Sequence, residues 1–172
     1  MPLPVAHSLV GAGLVAAVLP RRPRYWVWLA AGAVLANAAD LDFILVFLFR
    51  SRAWHRGFSH SLAFALAVFV CFLLALGRAR AREAMALGLA YASHALLDFA
   101  TTVETRGVEL LWPFSAERFG LRWWGLSETP SRLPVAEILK WLSLEFLLFA
   151  PPLLFLILLR RGVFGRSAAG VD

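Results

Sequence analysis

Charge and cysteine are both scarce in this chain. Only 16% of its 172 residues are Asp, Glu, Lys or Arg, while 60% are hydrophobic and the mean hydropathy is +0.72. A soluble domain of this size must cover itself with far more polar surface. The composition therefore excludes an ordinary soluble protein and indicates a single integral membrane domain, residues 1–172. The lone cysteine, Cys71, excludes an internal disulfide, and its place among Val70, Phe72 and Leu73 suits a small apolar core residue. Lysine is nearly absent: 16 of the 17 basic residues are arginines, most of them in short links between apolar runs. The net charge of +6 therefore reads as topology-setting charge, and no nucleic-acid partner is expected. The N-terminus lacks the basic segment that opens a cleaved leader. Its arginines (Arg21, Arg22 and Arg24) follow the apolar stretch, so a retained first helix is expected. Internal repeats and low-complexity tracts are also absent.

What is present is a series of five apolar runs, at about 4–19, 25–49, 58–76, 84–100 and 134–159. Each is near the ~20 residues a helix needs to cross hydrocarbon, and helices satisfy their own backbone polar groups. The expected architecture is an all-α bundle of about five transmembrane helices. The first run is rich in small residues (Gly11, Gly13, Ala16, Ala17), which suits close helix packing. One long link, 101–133, carries "LLWPFS" and "RWW" and reads as an extracytoplasmic loop or lid, with Trp112, Trp123 and Trp124 suited to the headgroup zone. With five crossings, Arg21, Arg22, Arg24, Arg78, Arg80, Arg82, Arg160, Arg161 and Arg166 share one side in short segments. The other side has fewer arginines over roughly twice the length, offset by glutamates, so the first side is expected to be cytoplasmic. That sets the N-terminus outside and the C-terminus inside.

The costly residues gather at the opposite face. His7 begins the first run, Asn37, Asp40 and Asp42 fall in the outer half of the second, and "HRGFSHS" (His55, Arg56, His60) forms the mouth of the third. His94 and Asp98 fall at the outer end of the fourth. An Asp at a helix centre costs about 2.5–3.5 kcal/mol on insertion scales, so several at one depth indicate a shared polar pocket. His94 and Asp98 are four apart and share a helix face, able to hold one ion or one proton. In a regular helix Asp40 and Asp42 point to nearly opposite sides, so only one is expected to ligate unless the helix unwinds there. Together the histidines and aspartates match the ligand set of zinc or another divalent metal. Arg56 has the shape and charge for phosphate oxygens, or else it snorkels. Glu145 could face the bundle and join the cluster, and Glu137 pairs with Lys140.

The ordered set of His7, "DLD", "HRGFSHS", "SHALLDFATT", "GVELLWPFS" and an acidic last helix resembles the YdjM-like family of bacterial and archaeal inner-membrane proteins, described as membrane-bound, metal-dependent hydrolases. Ala39 and Ser59 stand where that family usually shows Pro and Thr. More distantly, the pattern is similar to zinc-dependent phospholipase C and the S1/P1 nucleases, through His94 with Asp98, through Asp40 or Asp42 with His60, and through His7. No histidine follows His94, so one or two ions are expected rather than three. The implied function is metal-assisted hydrolysis of a lipid-linked phosphoester at the outer face. The metal would be held by His60, His94, Asp98 and one of Asp40 and Asp42, with His7 serving a second ion or the substrate. Arg56 would bind phosphate and His55 would protonate the leaving group. The rival is a non-catalytic membrane protein, an ion carrier or a partner-binding scaffold. A carrier needs a polar path inward, and the inner halves of these runs are almost purely apolar.

Overall fold

The structure, a computed structural model, describes residues 3–21, 23–102, 107–121 and 134–165. Among them every regular element is helical, apart from an isolated antiparallel bridge between Val108 and Phe119. The helices are α1 (Pro4–Val18), α2 (Tyr25–Leu35), α3 (Phe43–Phe49), α4 (Leu62–Leu76), α5 (Ala81–Thr101) and α6 (Val135–Gly165). Local chemistry explains several boundaries. Pro4 opens α1, where its missing N–H is not needed. Ser61 caps α4, its Oγ accepting from the Phe64 N–H at 3.1 Å. Gly77, at φ 78°, ends that helix in a conformation few other residues adopt.

The bundle is built around α5, which packs against α1, α2 and α4. Its buried residues are mostly small, including Ala84, Ala86, Gly88, Ala90 and Ala95, and they let neighbours come close. Val15 and Leu19 of α1 fill the core beside Ala86 and Ala90. The small residues of the first run do pack closely. A Cβ on Gly11 would lie 2.5 Å from the Gly32 carbonyl oxygen, so α1 and α2 meet backbone to backbone. On the far side of α1 lies α6, whose outer surface shows large exposed apolar side chains such as Leu147 and Phe155.

Glu145 of α6 is buried, but it does not join the histidines and aspartates. Its carboxylate accepts from the backbone N–H of Leu3 and, at 3.1 Å, of Ala6. The reason is the unsatisfied amides at the start of α1, which attract a negative group. Glu137 and Lys140 form an exposed pair at 3.7 Å. Glu145→Ala is expected to lower stability by about 1–3 kcal/mol, because the Leu3 amide loses its acceptor and the Ala6 amide keeps only the Leu3 carbonyl at 3.2 Å. Thermal unfolding in detergent measures this, and an unchanged midpoint would mean that packing alone holds α6 to α1.

The structure does not confirm that all five apolar runs cross a membrane. Among the described residues one helix, Val135–Leu159, is long and apolar enough to cross a membrane, or up to three if each bent pair is one span. The pairs are Tyr25–Leu35 with Ala38–Phe49, bent by 44°, and Arg52–His60 with Leu62–Leu76, bent by 55°. Helix α1, with 15 residues, is about 22 Å long, short of the ~30 Å hydrocarbon core. Helix α5, with 21 residues, is long enough but less apolar, since it carries Arg82, Glu83, His94 and Asp98. Its neighbours shield it, so it does not need an apolar surface all round. Trp123 and Trp124 of the expected lid lie outside the described residues, as do Arg22, Arg166 and the side chains of Arg160 and Arg161.

Candidate metal centre

Two irregular segments position the polar residues. Helix α2 stops at Leu35, and the chain turns through a 3-10 segment, Ala38–Asp42, before α3 begins. Asn37 sits at this break. Its Nδ2 donates to the Ala33 carbonyl at 2.8 Å and to Ser8 Oγ at 2.9 Å, so the side chain competes for a helical acceptor. A 3-10 turn has about three residues per turn, which brings positions two apart to ~120° rather than to nearly opposite sides. Asp40 and Asp42 therefore both reach the same cluster, from adjacent directions.

The second segment is "HRGFSHS". It is not an early start of α4 but a loop with short 3-10 turns at Arg52–Trp54 and Phe58–His60. Arg56 has φ 60°, a left-handed conformation that costs roughly 1 kcal/mol or more in a residue with a side chain. Its backbone is held on both sides. The Arg56 N–H donates to Asp42 Oδ2 at 2.9 Å, and its carbonyl accepts from the Glu109 N–H at 3.1 Å. This turn carries the Arg56 side chain to Asp98, with Nε 3.3 Å from Oδ2.

Residues from four stretches of chain then meet. His94 Nε2 lies 3.4 Å from Asp40 Oδ1, and His60 Nε2 lies 3.7 Å from both Asp40 Oδ1 and Asp98 Oδ2. His7 stacks on His94 with ring centroids 4.0 Å apart, and its Nε2 is 3.5 Å from Asp98 Oδ1. His7, His60, His94 and Asp98 are all at most 1% exposed. His60 Nε2, His94 Nε2, Asp40 Oδ1 and both Asp98 oxygens lack a protein hydrogen-bond partner. Burying such groups unpaired costs about 1–3 kcal/mol each, and more when they are charged.

These observations test whether a divalent ion fits. Ligand atoms 2.0–2.1 Å from a tetrahedral ion stand ~3.4 Å from one another, close to the spacings found here and too long for good hydrogen bonds. The histidines are also oriented as ligands. His94 Nδ1 donates to the Ala36 carbonyl at 2.6 Å, which leaves the lone pair on Nε2 facing the cluster. His60 Nδ1 lies against Ser59 Oγ at 3.0 Å and Asp42 Oδ2 at 3.3 Å, which turns its Nε2 the same way. Asp40, His60 and His94 each offer an atom to one such ion, and His7, His94 and Asp98 form an overlapping group. The residues present fit the group.

Asp42 stands one step behind. Its Oδ2 accepts from Ser59 Oγ at 2.9 Å, and its Oδ1 contacts His55 Nδ1 at 2.9 Å. His55 is partly exposed and stacks on Phe43 at 4.1 Å, its ring centroid 5.8 Å from that of His60.

A clasp that the residue patterns did not reveal closes the site from outside. Arg118 donates to Glu109 Oε1 from Nε at 3.2 Å, and from its two Nη groups to the His55 carbonyl at 3.1 Å and the Ala53 carbonyl at 2.8 Å. The described part of the expected lid, 107–121, is thereby tied across the "HRGF" loop, with Trp112 against Phe58 at 5.9 Å. Two further supports lie outside the sequence motifs. Tyr91 donates to the Ser59 carbonyl at 2.8 Å, and being three residues before His94 it could have been found by helical spacing. The Ala36 carbonyl has no sequence signal at all.

The comparisons with known proteins agree with this picture of a membrane chain. A family described as YdjM inner membrane protein matches residues 1–168. Inner membrane protein YbcI of Escherichia coli (strain K12) is 37% identical over 145 residues, covering 77% of this chain and 80% of that protein. No solved structure matches, and nothing in the comparisons supports the distant likeness to phospholipase C and the S1/P1 nucleases. The chain belongs to the YdjM inner membrane protein family.

Proposed function

We propose that this inner membrane protein is a metal-dependent hydrolase acting on a lipid-linked phosphoester at the outer face of the membrane. The observation that carries the reading is the convergence of Asp40, His60, His94 and Asp98 on one space, with ligand-like spacing and no competing hydrogen bonds. Asp40, His60 and His94 would hold a divalent ion, zinc by their chemistry, while His7 and Asp98 stand beside them for a second ion or the substrate. A divalent ion there would supply Lewis acidity, to polarise a phosphoryl oxygen and acidify water.

The chain's own groups do the rest. Asp42 keeps His60 in its ligating orientation and, through its other oxygen, holds the His55 ring. With Nδ1 engaged, His55 Nε2 handles the exchangeable proton and delivers it to the leaving oxygen. Arg56, fixed beside Asp98, brings a planar cation to the rim of the cluster, where it grips phosphoryl oxygens. The clasp made by Arg118 and Glu109 holds this loop in place.

The test is to screen purified, metal-loaded protein against phosphatidic acid, diacyl phospholipids and undecaprenyl phosphates. Release of phosphate or a phosphorylated headgroup is expected, and release from none of them would remove the phosphoester reading. Arg56→Lys keeps the charge but loses the fork. It is expected to slow turnover roughly 100-fold with metal content unchanged. Equal rates would make Arg56 a structural residue only.

The proposed orientation has five crossings, with the N-terminus outside and the C-terminus inside. It is supported by the link arginines. Arg21, Arg24, Arg78 and Arg80 flank the ends of α1, α2, α4 and α5 that are remote from the cluster. An alkaline phosphatase fusion at the C-terminus is expected to be inactive and a cytoplasmic reporter active, and the reverse pair of results would invert the assignment.

A further inference from the structure

A cleft of about 730 Å³ runs between the α2–α3 bend and one face of α4. Its α4 wall is Phe64, Ala67, Val68, Cys71, Phe72 and Ala75. Those positions recur at three and four residues, so they form one straight stripe. From Phe64 to Ala75 the stripe rises about 16 Å, close to the ~15 Å that one leaflet contributes to the hydrocarbon core. The opposite wall is apolar too, with Leu35, Ala38, Leu41 and Leu45. Small side chains leave the space, and Ala67 and Ala75 are exposed at its rim. The cleft therefore opens sideways, into what is hydrocarbon around an inner membrane protein.

Its two ends differ. At one end are Asp42 and Ser59, hydrogen-bonded to each other at 2.9 Å, with Ser59 in turn against His60. At the other end are Phe72 and Ala75, far along α4 from any charged side chain of the cluster. An apolar space of this kind gains little by holding water. Its length, apolar walls and single polar end match an amphiphile lying parallel to α4.

We propose that this cleft binds one hydrocarbon chain of a membrane lipid, with the lipid's polar end at Asp42, Ser59 and the adjoining His/Asp cluster. The placement of the polar end rests on the proposed hydrolase reading, whereas the binding of the chain rests on the cleft alone. Lateral opening lets a lipid enter from its own leaflet without leaving the bilayer. One cleft takes one chain, so any second chain of the lipid stays in the surrounding hydrocarbon.

The experiment uses the full chain in nanodiscs of phosphatidylethanolamine and phosphatidylglycerol, doped with a phospholipid carrying a diazirine near the end of one acyl chain. After photolysis, adducts are mapped by peptide mass spectrometry. A chain buried 70–90% by its site reacts mainly with the walls, so labelling around Leu45, Val68, Cys71 and Phe72 should exceed that at Leu147 and Phe155 of α6 by about five-fold or more. Ala67→Trp and Ala75→Trp fill the cleft from its exposed rim and should each remove that excess while leaving α6 labelling unchanged. Equal labelling of cleft and α6, or an excess that survives both tryptophans, would mean annular lipid only and would overturn the proposal. The two readings separate cleanly. Cleft-confined labelling in a protein that releases nothing from any lipid phosphate supports the cleft and removes only the hydrolase, while lipid turnover without cleft labelling removes the cleft and leaves the hydrolase.

Discussion

His94→Ala is expected to abolish ion binding while leaving the bundle folded. His94 supplies Nε2 to the cluster, 3.4 Å from Asp40 Oδ1, and belongs to two overlapping ligand groups. Changing even an outer partner of a metal ligand typically costs ~10–100-fold in affinity, and removing the ligand itself costs more. Elemental analysis of protein purified without an affinity-tag metal gives the stoichiometry. Thermal unfolding gives a second readout that separates lost ligation from lost packing. Both proteins are stripped with chelator and then titrated with zinc. A folded-state ligand at 100 times its Kd stabilises by about 2.7 kcal/mol, so the wild type should gain stability and the variant should not. The void left by the imidazole lowers the starting point of the variant but not its response. His7→Ala is the comparison. His7 stacks on His94 without contacting Asp40, so its loss should spare an ion held by Asp40, His60 and His94. A wild type that gains nothing from zinc, or a His94 variant that gains as much, would remove the ion from this site.

Gly11→Ala is expected to cost about 3 kcal/mol or more, the upper end of overpacking penalties. The added methyl would meet the Gly32 carbonyl oxygen and the Ala36 Cβ, each at 2.5 Å. Neither can rotate away, because one is backbone and the other is fixed directly to it. Helices α1 and α2 must therefore separate. Gly13→Ala makes the same chemical change two residues on, where the new methyl meets only Leu153 Cδ1 at an ordinary 3.8 Å. It should be neutral or slightly stabilising, since Ala is the better helix former. Denaturant titration of the two variants in detergent decides the matter, and equal stabilities would refute a backbone-to-backbone contact. The separation should also reach the site, because the α2 end supplies the Ala36 carbonyl that orients His94.

The sequence by itself determined the class of protein and the membership of the site. Sixty per cent hydrophobic residues in separated runs leave a helical membrane chain as the way to satisfy the backbone. Histidine and aspartate are so costly in such runs that their positions alone marked one end of the bundle. His7, Asp40, Asp42, Arg56, His60, His94 and Asp98 were all legible in this way, and the structure brings them into one connected set. Division of labour within the set was not legible. A periodic reading sends Asp40 and Asp42 to opposite sides of a helix, but a 3-10 turn lets Asp40 face the histidines while Asp42 supports His55, Ser59 and the Arg56 amide. At the break before that turn Asn37 donates to Ser8 on another helix, a partner 29 positions away that no local pattern contains. Glu145 was legible as a residue that could face the bundle, yet only tertiary packing decided that it caps α1 rather than joining the cluster. The Ala36 carbonyl beneath His94, the Arg118 clasp and the cleft along α4 belong to the same kind. Periodicity reports which face of an element is apolar, through interactions within a few residues. Which carbonyl, amide or void lies opposite a side chain depends on how separate elements cross, and that is settled only when the bundle closes.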